Sequence, residues 1–157
     1  MLSTLANLSF VHTLHALPWA PQLLETIHMT FHSLLVGAFI VLAARLLGFG
    51  RDVPLAPLAR LVFAVCWISV GVQVVAGGLM FLMMVDQYAD NEYFIAKIAA
   101  IAVGLMLLAA LQLALRANAP AWDSAGTIPA PVRGVAALAV PVWLVALGFG
   151  RFVYTLL

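Results

Sequence analysis

Ile98-Ala99-Ala100-Ile101-Ala102-Val103-Gly104-Leu105-Met106-Leu107-Leu108-Ala109-Ala110-Leu111-Gln112-Leu113-Ala114-Leu115 runs from Lys97 to Arg116 without one ionisable side chain. A helix rises about 1.5 Å per residue and the hydrocarbon of a bilayer is about 30 Å thick, so this run and its flanks make a membrane-crossing helix over 93–115. Working outward, the other long apolar runs bounded by charge or proline give spans at 22–47, 58–85 and 132–157. The whole composition agrees: 66% of the 157 residues are hydrophobic and 8% are charged, against about a quarter charged in soluble domains. The expected fold is all-α, a single domain over residues 1–157 forming a four-transmembrane-helix bundle, with a short interfacial helix ahead of it within residues 1–20. Four spans and their loops use up the length, so chemistry must sit inside the bundle or at its rims.

Residues 1–20 are less apolar than the spans. They carry His12 and His15 and have no Lys or Arg ahead of a hydrophobic region, so they do not read as a cleavable signal peptide. On a helical wheel Leu5, Leu8, His12 and His15 share an arc, while Phe10, Val11 and Leu14 lie opposite. Arg45, Arg51 and Arg60 bracket the first loop, and Arg116 and Arg133 bracket the third. The second loop, 86–92, has neither Lys nor Arg. The positive-inside rule then places loops one and three in the cytoplasm, with both termini and the acidic loop outside. Residues 117–131 are Ala/Pro/Gly-rich and read as a connector. The pentapeptide Leu47-Gly48-Phe49-Gly50-Arg51 recurs as Leu147-Gly148-Phe149-Gly150-Arg151, but its flanks do not align, so it is read as chance rather than as a duplicated half.

With seven Lys and Arg against six Asp and Glu and no basic run, nucleic acid is excluded as a partner. A single Cys66 forms neither a disulfide framework nor a CxxC knuckle. No GxSxG elbow, HExxH helix or Gly-rich phosphate loop is present, and nothing marks the chain as an enzyme on its own.

The polar residues of the spans carry the functional reading. Glu25, His28 and His32 fall at i, i+3 and i+7, on one face of the first span. Ionisable groups in hydrocarbon are costly unless partnered, which makes them functional candidates. In the second span Cys66, Ser69, Gln73, Gly77, Met80 and Met84 follow a three- and four-residue rhythm along one side. Counting rise per residue puts Met80 level with His28, and His32 near Gly77 or Gln73. A thioether level with an imidazole suits Cu(I) or a haem iron, and Gly77 would let a flat macrocycle or a neighbouring helix approach. Lys97 begins a third-span face continued by Ile101, Gly104 and Leu108. Pro141, Leu144, Gly148 and Arg151 share a face of the fourth, with a kink expected at Pro141. The competing reading is structural: Glu25 pairs with Lys97 or Arg151, the histidines satisfy backbone acceptors, Met80 fills core space, and the cations snorkel to headgroups.

The stretch from Leu17-Pro18-Trp19 through Glu25-Thr26-Ile27-His28 to Arg45-Leu46-Leu47-Gly48 resembles the opening of a family of small bacterial four-helix membrane proteins of unknown function. Asn91-Glu92-Tyr93-Phe94-Ile95-Ala96-Lys97 is similar to that family's Asn-x-x-Phe-x-x-Lys entry to the third helix, and Gly150-Arg151-Phe152-Val153-Tyr154 to its closing Gly-Arg-aromatic segment. The resemblance covers nearly the whole chain and extends distantly to copper-resistance protein D and to b-type cytochrome membrane subunits. It implies residence in the bacterial inner membrane, metal or haem chemistry, and Glu25, His28, Lys97 and Arg151 as family residues.

The leading expectation is a non-catalytic membrane subunit holding haem b or copper in an outward-facing polar cavity of Glu25, His28, His32, Gly77, Met80, Lys97 and Arg151, and passing electrons to a quinone or a redox partner protein. Two alternatives stand beside it: an assembly protein with a buried ion-pair network, alone or as a homo-oligomer, and a copper-handling protein. His28 is the expected first ligand. His28 and His32 together would chelate a small ion with Glu25 or Met80, whereas a haem would need Met80, Met84, His12 or His15 as its second ligand, because the chain has no histidine after His32. The charge distribution also makes a topological prediction. A Gln87→Cys variant should react with an impermeant thiol reagent in intact cells, and labelling only after lysis would reverse the orientation.

Overall fold

The computed structural model describes residues 9–155, apart from the side chains of residues 15, 154 and 155. The described chain is helical without a strand: α1 (Ser9–Ala16), α2 (Ala20–Leu47), α3 (Leu55–Met83), α4 (Val85–Tyr88), α5 (Glu92–Ala125) and α6 (Ala130–Thr155). Of these, α2, α3, α5 and α6 are long and apolar enough to cross a membrane. They pack in a ring, α2 on α3, α3 on α5, α5 on α6 and α6 back on α2, while α1 lies against α2 and α3. Val11, on the arc opposite His12, is the α1 residue that this contact buries. Leu5 and Leu8 of the expected interfacial helix lie outside the described residues.

Local chemistry explains the ends of the helices. Pro21 stands in the first turn of α2, where a missing N–H is tolerated. At the other end Gly48 takes φ 108°, and the Gly48 and Phe49 N–H groups close on the Arg45 and Ala44 carbonyls. That is a Schellman stop, which needs glycine at the left-handed position. The second span starts earlier than the apolar run suggests, at Leu55, and breaks at Met84 before the short α4. Asn91 caps α5, its Oδ1 accepting from the Tyr93 and Phe94 N–H groups at 3.0 and 3.1 Å.

Two sequence readings are corrected here. Residues 117–125 are not connector. They continue α5 through Pro120 to Ala125, leaving only 126–129 between α5 and α6. Ala117, Ala119, Ala121 and Ala125 are strong helix formers, and Asp123 on this extension makes contacts that a free loop would lack. On α6 the inward face is Ala136, Ala139, Trp143, Ala146 and Val153, whereas Pro141 and Leu144 face outward. Small residues let α6 close on its neighbours, and Trp143 fills the space they leave.

The apolar core occupies the end of the bundle nearest the first and third loops, where Leu35, Phe39, Leu42 and Leu46 meet Phe63, Cys66, Leu108, Leu111 and Leu115. The polar residues gather at the other end, as the sequence implies. At the loop end Arg45, 8% exposed, reaches Asp123 Oδ1 at 2.8 Å and donates to the Val53 carbonyl at 2.7 Å. Asp123 Oδ2 accepts from the Leu55 N–H at 2.7 Å. Pro54, the residue before α3, has no side chain able to cap it, so a carboxylate from α5 performs that task. Breaking this part-buried pair strands a charge and uncaps α3, so Asp123→Ala should lower stability by about 2 kcal/mol. Arg45→Met with Asp123→Leu should lose less than the sum of the single changes, measured by thermal unfolding in detergent. Strictly additive losses would mean the pair is not coupled.

Candidate functional site

At the acidic-loop end the helices enclose a cavity of about 60 Å³ lined by Glu25, His28, Met29 and His32 of α2, Gly77 and Met80 of α3, Tyr88 of α4, Phe94 and Lys97 of α5, and Gly150 and Arg151 of α6. Met84 and His12, offered as further haem ligands, are not in its wall, whereas the expected cavity residues Glu25, His28, His32, Gly77, Met80, Lys97 and Arg151 all are. Close packing against glycine puts two of them there. The His28 imidazole lies on the Gly77 backbone, where a Cβ would stand 2.9 Å from Cε1 and 3.1 Å from Nδ1. Lys97 lies on Gly150, where a Cβ would stand 3.0 Å from Nζ. Neither position accepts a larger residue unless the polar side chain moves. The space at Gly77 is therefore filled by His28.

The two histidines, one turn apart on α2, have different surroundings. His32 is 2% exposed, with Nδ1 2.9 Å from Gln73 Oε1 and Nε2 3.2 Å from the Trp143 carbonyl oxygen. Nε2–H donates to that carbonyl. A neutral ring then accepts a hydrogen bond at Nδ1 from the Gln73 amide, with the amide turned to present its nitrogen. Both ring nitrogens of His32 are committed to the protein. His28 Nδ1, by contrast, is buried without a hydrogen bond of good geometry, although the Gln73 backbone lies close to the ring. The structure thus brings both histidines to one cavity wall, with His32 bonded to the protein through both ring nitrogens.

The expected salt bridge is corrected as well. Among the described residues the single ion pair is Arg45–Asp123, so Glu25, Lys97 and Arg151 share a cavity without Glu25 pairing directly with either cation. Nor do the described residues hold a cluster of three His, Cys, Asp or Glu side chains suited to a metal ion. What the cavity offers is one imidazole, one carboxylate and two thioethers, Met29 and Met80, beside two cations.

Aromatic packing closes the rim. Phe94 stacks on Phe81 at 5.2 Å and on Tyr88 at 5.5 Å between ring centroids, with interplanar angles of 12° and 9°. The Asn91-x-x-Phe94-x-x-Lys97 word acquires three physical roles: helix cap, aromatic wall and cavity cation. Sequence reading missed Trp143, whose indole lies on Gly104, where a Cβ would be 2.8 Å from the ring. The available signal was Gly104 on the inward face of α5, which implies a bulky partner opposite. It also missed Met29, Tyr88 and Gly150, of which Tyr88 belongs to a loop that carried no periodicity.

Interhelical polar bonds in membrane proteins are worth about 0.6 kcal/mol on average and up to about 1.7. His32 and Gln73 should couple at the upper end of that range in a His32→Leu and Gln73→Leu double-mutant cycle followed by thermal unfolding. A coupling of zero would separate the two side chains. Comparison with protein-family models, with curated proteins and with solved structures finds no match to this chain.

Proposed function

We propose that this integral membrane protein handles copper, taking Cu(I) in the cavity at the acidic-loop end with His28 as nitrogen ligand and Met80 as thioether ligand. The observation that carries the reading is the contrast between the histidines: His32 spends both ring nitrogens on Gln73 and Trp143, whereas His28 keeps a buried Nδ1 unused. Buried polar atoms without partners call for an explanation, and a ligand is one. Imidazole with thioether is a soft donor set that favours Cu(I). Met29 stands in the same wall as a second thioether, and Glu25 supplies negative charge. Lys97 and Arg151 repel a cation in proportion to its charge, which disfavours a divalent ion more than Cu(I).

The size of the cavity favours copper over haem b. Sites for groups of that size run to several hundred Å³, whereas the cavity has about 60 Å³. Its Gly77 wall is covered by His28, and His32 is committed elsewhere. Copper bound here would supply one-electron chemistry toward a quinone or a partner protein, or be passed on as cargo. Following the positive-inside rule, the cavity opens to the outer face of the membrane. The purely structural reading is favoured by the His32–Gln73–Trp143 contacts, which need no ligand.

The test is anaerobic Cu(I) titration of the detergent-purified protein against a chromophoric chelator, with elemental analysis and an optical spectrum. One copper per chain and no Soret band are expected. His28→Ala should abolish retention, Met80→Leu should weaken it by about tenfold, or about 1.4 kcal/mol, and His32→Ala should keep the stoichiometry. Gly77→Ala keeps every donor residue but displaces the His28 imidazole, so it should also lose copper. Copper no greater than in a protein-free control, or full loading of His28→Ala, would overturn the assignment and leave the structural reading.

A further inference from the structure

A second cavity lies at the opposite end of the bundle, where it plays no part in the copper reading. It measures about 280 Å³ and is lined by Arg45 in the last turn of α2, Gly48 and Arg51 after it, Trp122 and Asp123 of α5, Thr127 of the short connection, and Arg133 of α6. Three guanidinium groups thus face one carboxylate. That carboxylate is already satisfied, with Oδ1 held by Arg45 and Oδ2 by the Leu55 N–H. It therefore leaves Arg51 and Arg133 uncompensated. Arg51 is held in place, its Nε donating to the Gly48 carbonyl at 3.2 Å. Its guanidinium lies over Gly48, where a Cβ would come within 3.1 Å of Nη2. The Arg133 side chain makes no hydrogen bond or ion pair among the described residues, its backbone N–H alone bonding the Pro129 carbonyl. It also stands in the opening turn of α6, which contains no acid. Cations are disfavoured at that positive end of a helix, whereas anions are favoured there.

We propose that this cavity binds a phosphate group, held by Arg51 and Arg133 over a floor built by the Arg45–Asp123 pair. Planar guanidinium groups match phosphate oxygens two at a time, and pre-positioned ones lose less freedom on binding. The site lies where apolar helices end. Trp122 lines it, and Leu47 and Phe49 beside it are 38% and 72% exposed. Headgroup phosphates and indole rings occupy that level of a bilayer, and basic pockets between helices recognise anionic headgroups there. A soluble phosphate ester would present the same oxygens to the same arginines.

The test uses the full-length protein in detergent at constant ionic strength, with thermal unfolding and native mass spectrometry after addition of short-chain phosphatidylglycerol, short-chain phosphatidylcholine, inorganic phosphate or chloride. A saturable stabilisation with one phosphatidylglycerol retained per chain, undisplaced by millimolar phosphate, identifies a lipid headgroup. The same stabilisation by inorganic phosphate alone identifies a soluble ligand. In either case Arg51→Gln with Arg133→Gln should weaken binding at least about tenfold, as expected for losing charged hydrogen bonds. Both side chains are exposed, so the variant should unfold near the wild-type temperature. Arg133→Gln alone, which leaves the Gly48 turn untouched, serves if it does not. Stabilisation no greater than with chloride or phosphatidylcholine, or affinity unchanged in the variants, would overturn the proposal.

Discussion

His32 meets Gln73 on α3 and the Trp143 carbonyl on α6, joining three of the four spans through one imidazole. In hydrocarbon no water competes for these groups, so a side chain that satisfies partners on two neighbouring helices fixes their relative height and rotation. The contact sits at the boundary between two halves of the bundle. On one side Leu35, Phe39, Phe63 and Leu108 pack into a dry core. On the other, the helices enclose the cavity with His28, Met80, Lys97 and Arg151. His32 is therefore the floor of the site and the roof of the core, which is why both its ring nitrogens are bonded to the protein while Nδ1 of His28, one turn away, is not.

The opposite end is held by different means. Arg45 and Asp123 tie the end of α2 to the extension of α5, and through the Val53 carbonyl and the Leu55 N–H they also fix the turn between α2 and α3. This fastening stands at the rim, where water and headgroups relieve part of the desolvation that would burden an ion pair at mid-membrane. The two ends thus divide the work. A neutral hydrogen-bonded contact organises the interior, and a charged one organises the loops.

Glycine makes both the core and the cavity possible. Gly104 admits the Trp143 indole, Gly77 the His28 imidazole and Gly150 the Lys97 chain. Each is a place where one helix lacks a side chain so that a large or polar one from its neighbour can lie flat on the backbone. Helices in membranes gain their association from such packing, because lipid tails offer no hydrophobic drive to bring them together.

Sequence alone determined the number of spans and which ionisable side chains of the spans share the cavity, because each follows from composition and helical period. Glu25, His28 and His32 share a face whatever they pack against, and Gln73, Gly77 and Met80 share another. Which contacts form between faces was decided only in three dimensions. The period that pairs His28 and His32 on α2 says nothing of Gln73 taking one and Gly77 the other. Nor does it show that Glu25 stands apart from Lys97, because rotation about each helix axis is set by all four neighbours together. Trp143 was hidden because the α6 pattern allows more than one inward face until the small residues Ala136, Ala139 and Ala146 are seen against α2 and α5. The repeated pentapeptide shows the division in miniature. Leu47-Gly48-Phe49-Gly50-Arg51 ends a helix, with Gly48 at φ 108° and Gly50 at φ 58°, whereas Leu147-Gly148-Phe149-Gly150-Arg151 continues one. The first copy runs into Pro54, which bars helix at Val53, and Arg45 and Asp123 hold the resulting turn. The second meets no breaker, and its Gly150 backbone serves Lys97 instead. Identical residues take opposite roles because backbone preference is weak beside the packing that surrounds it.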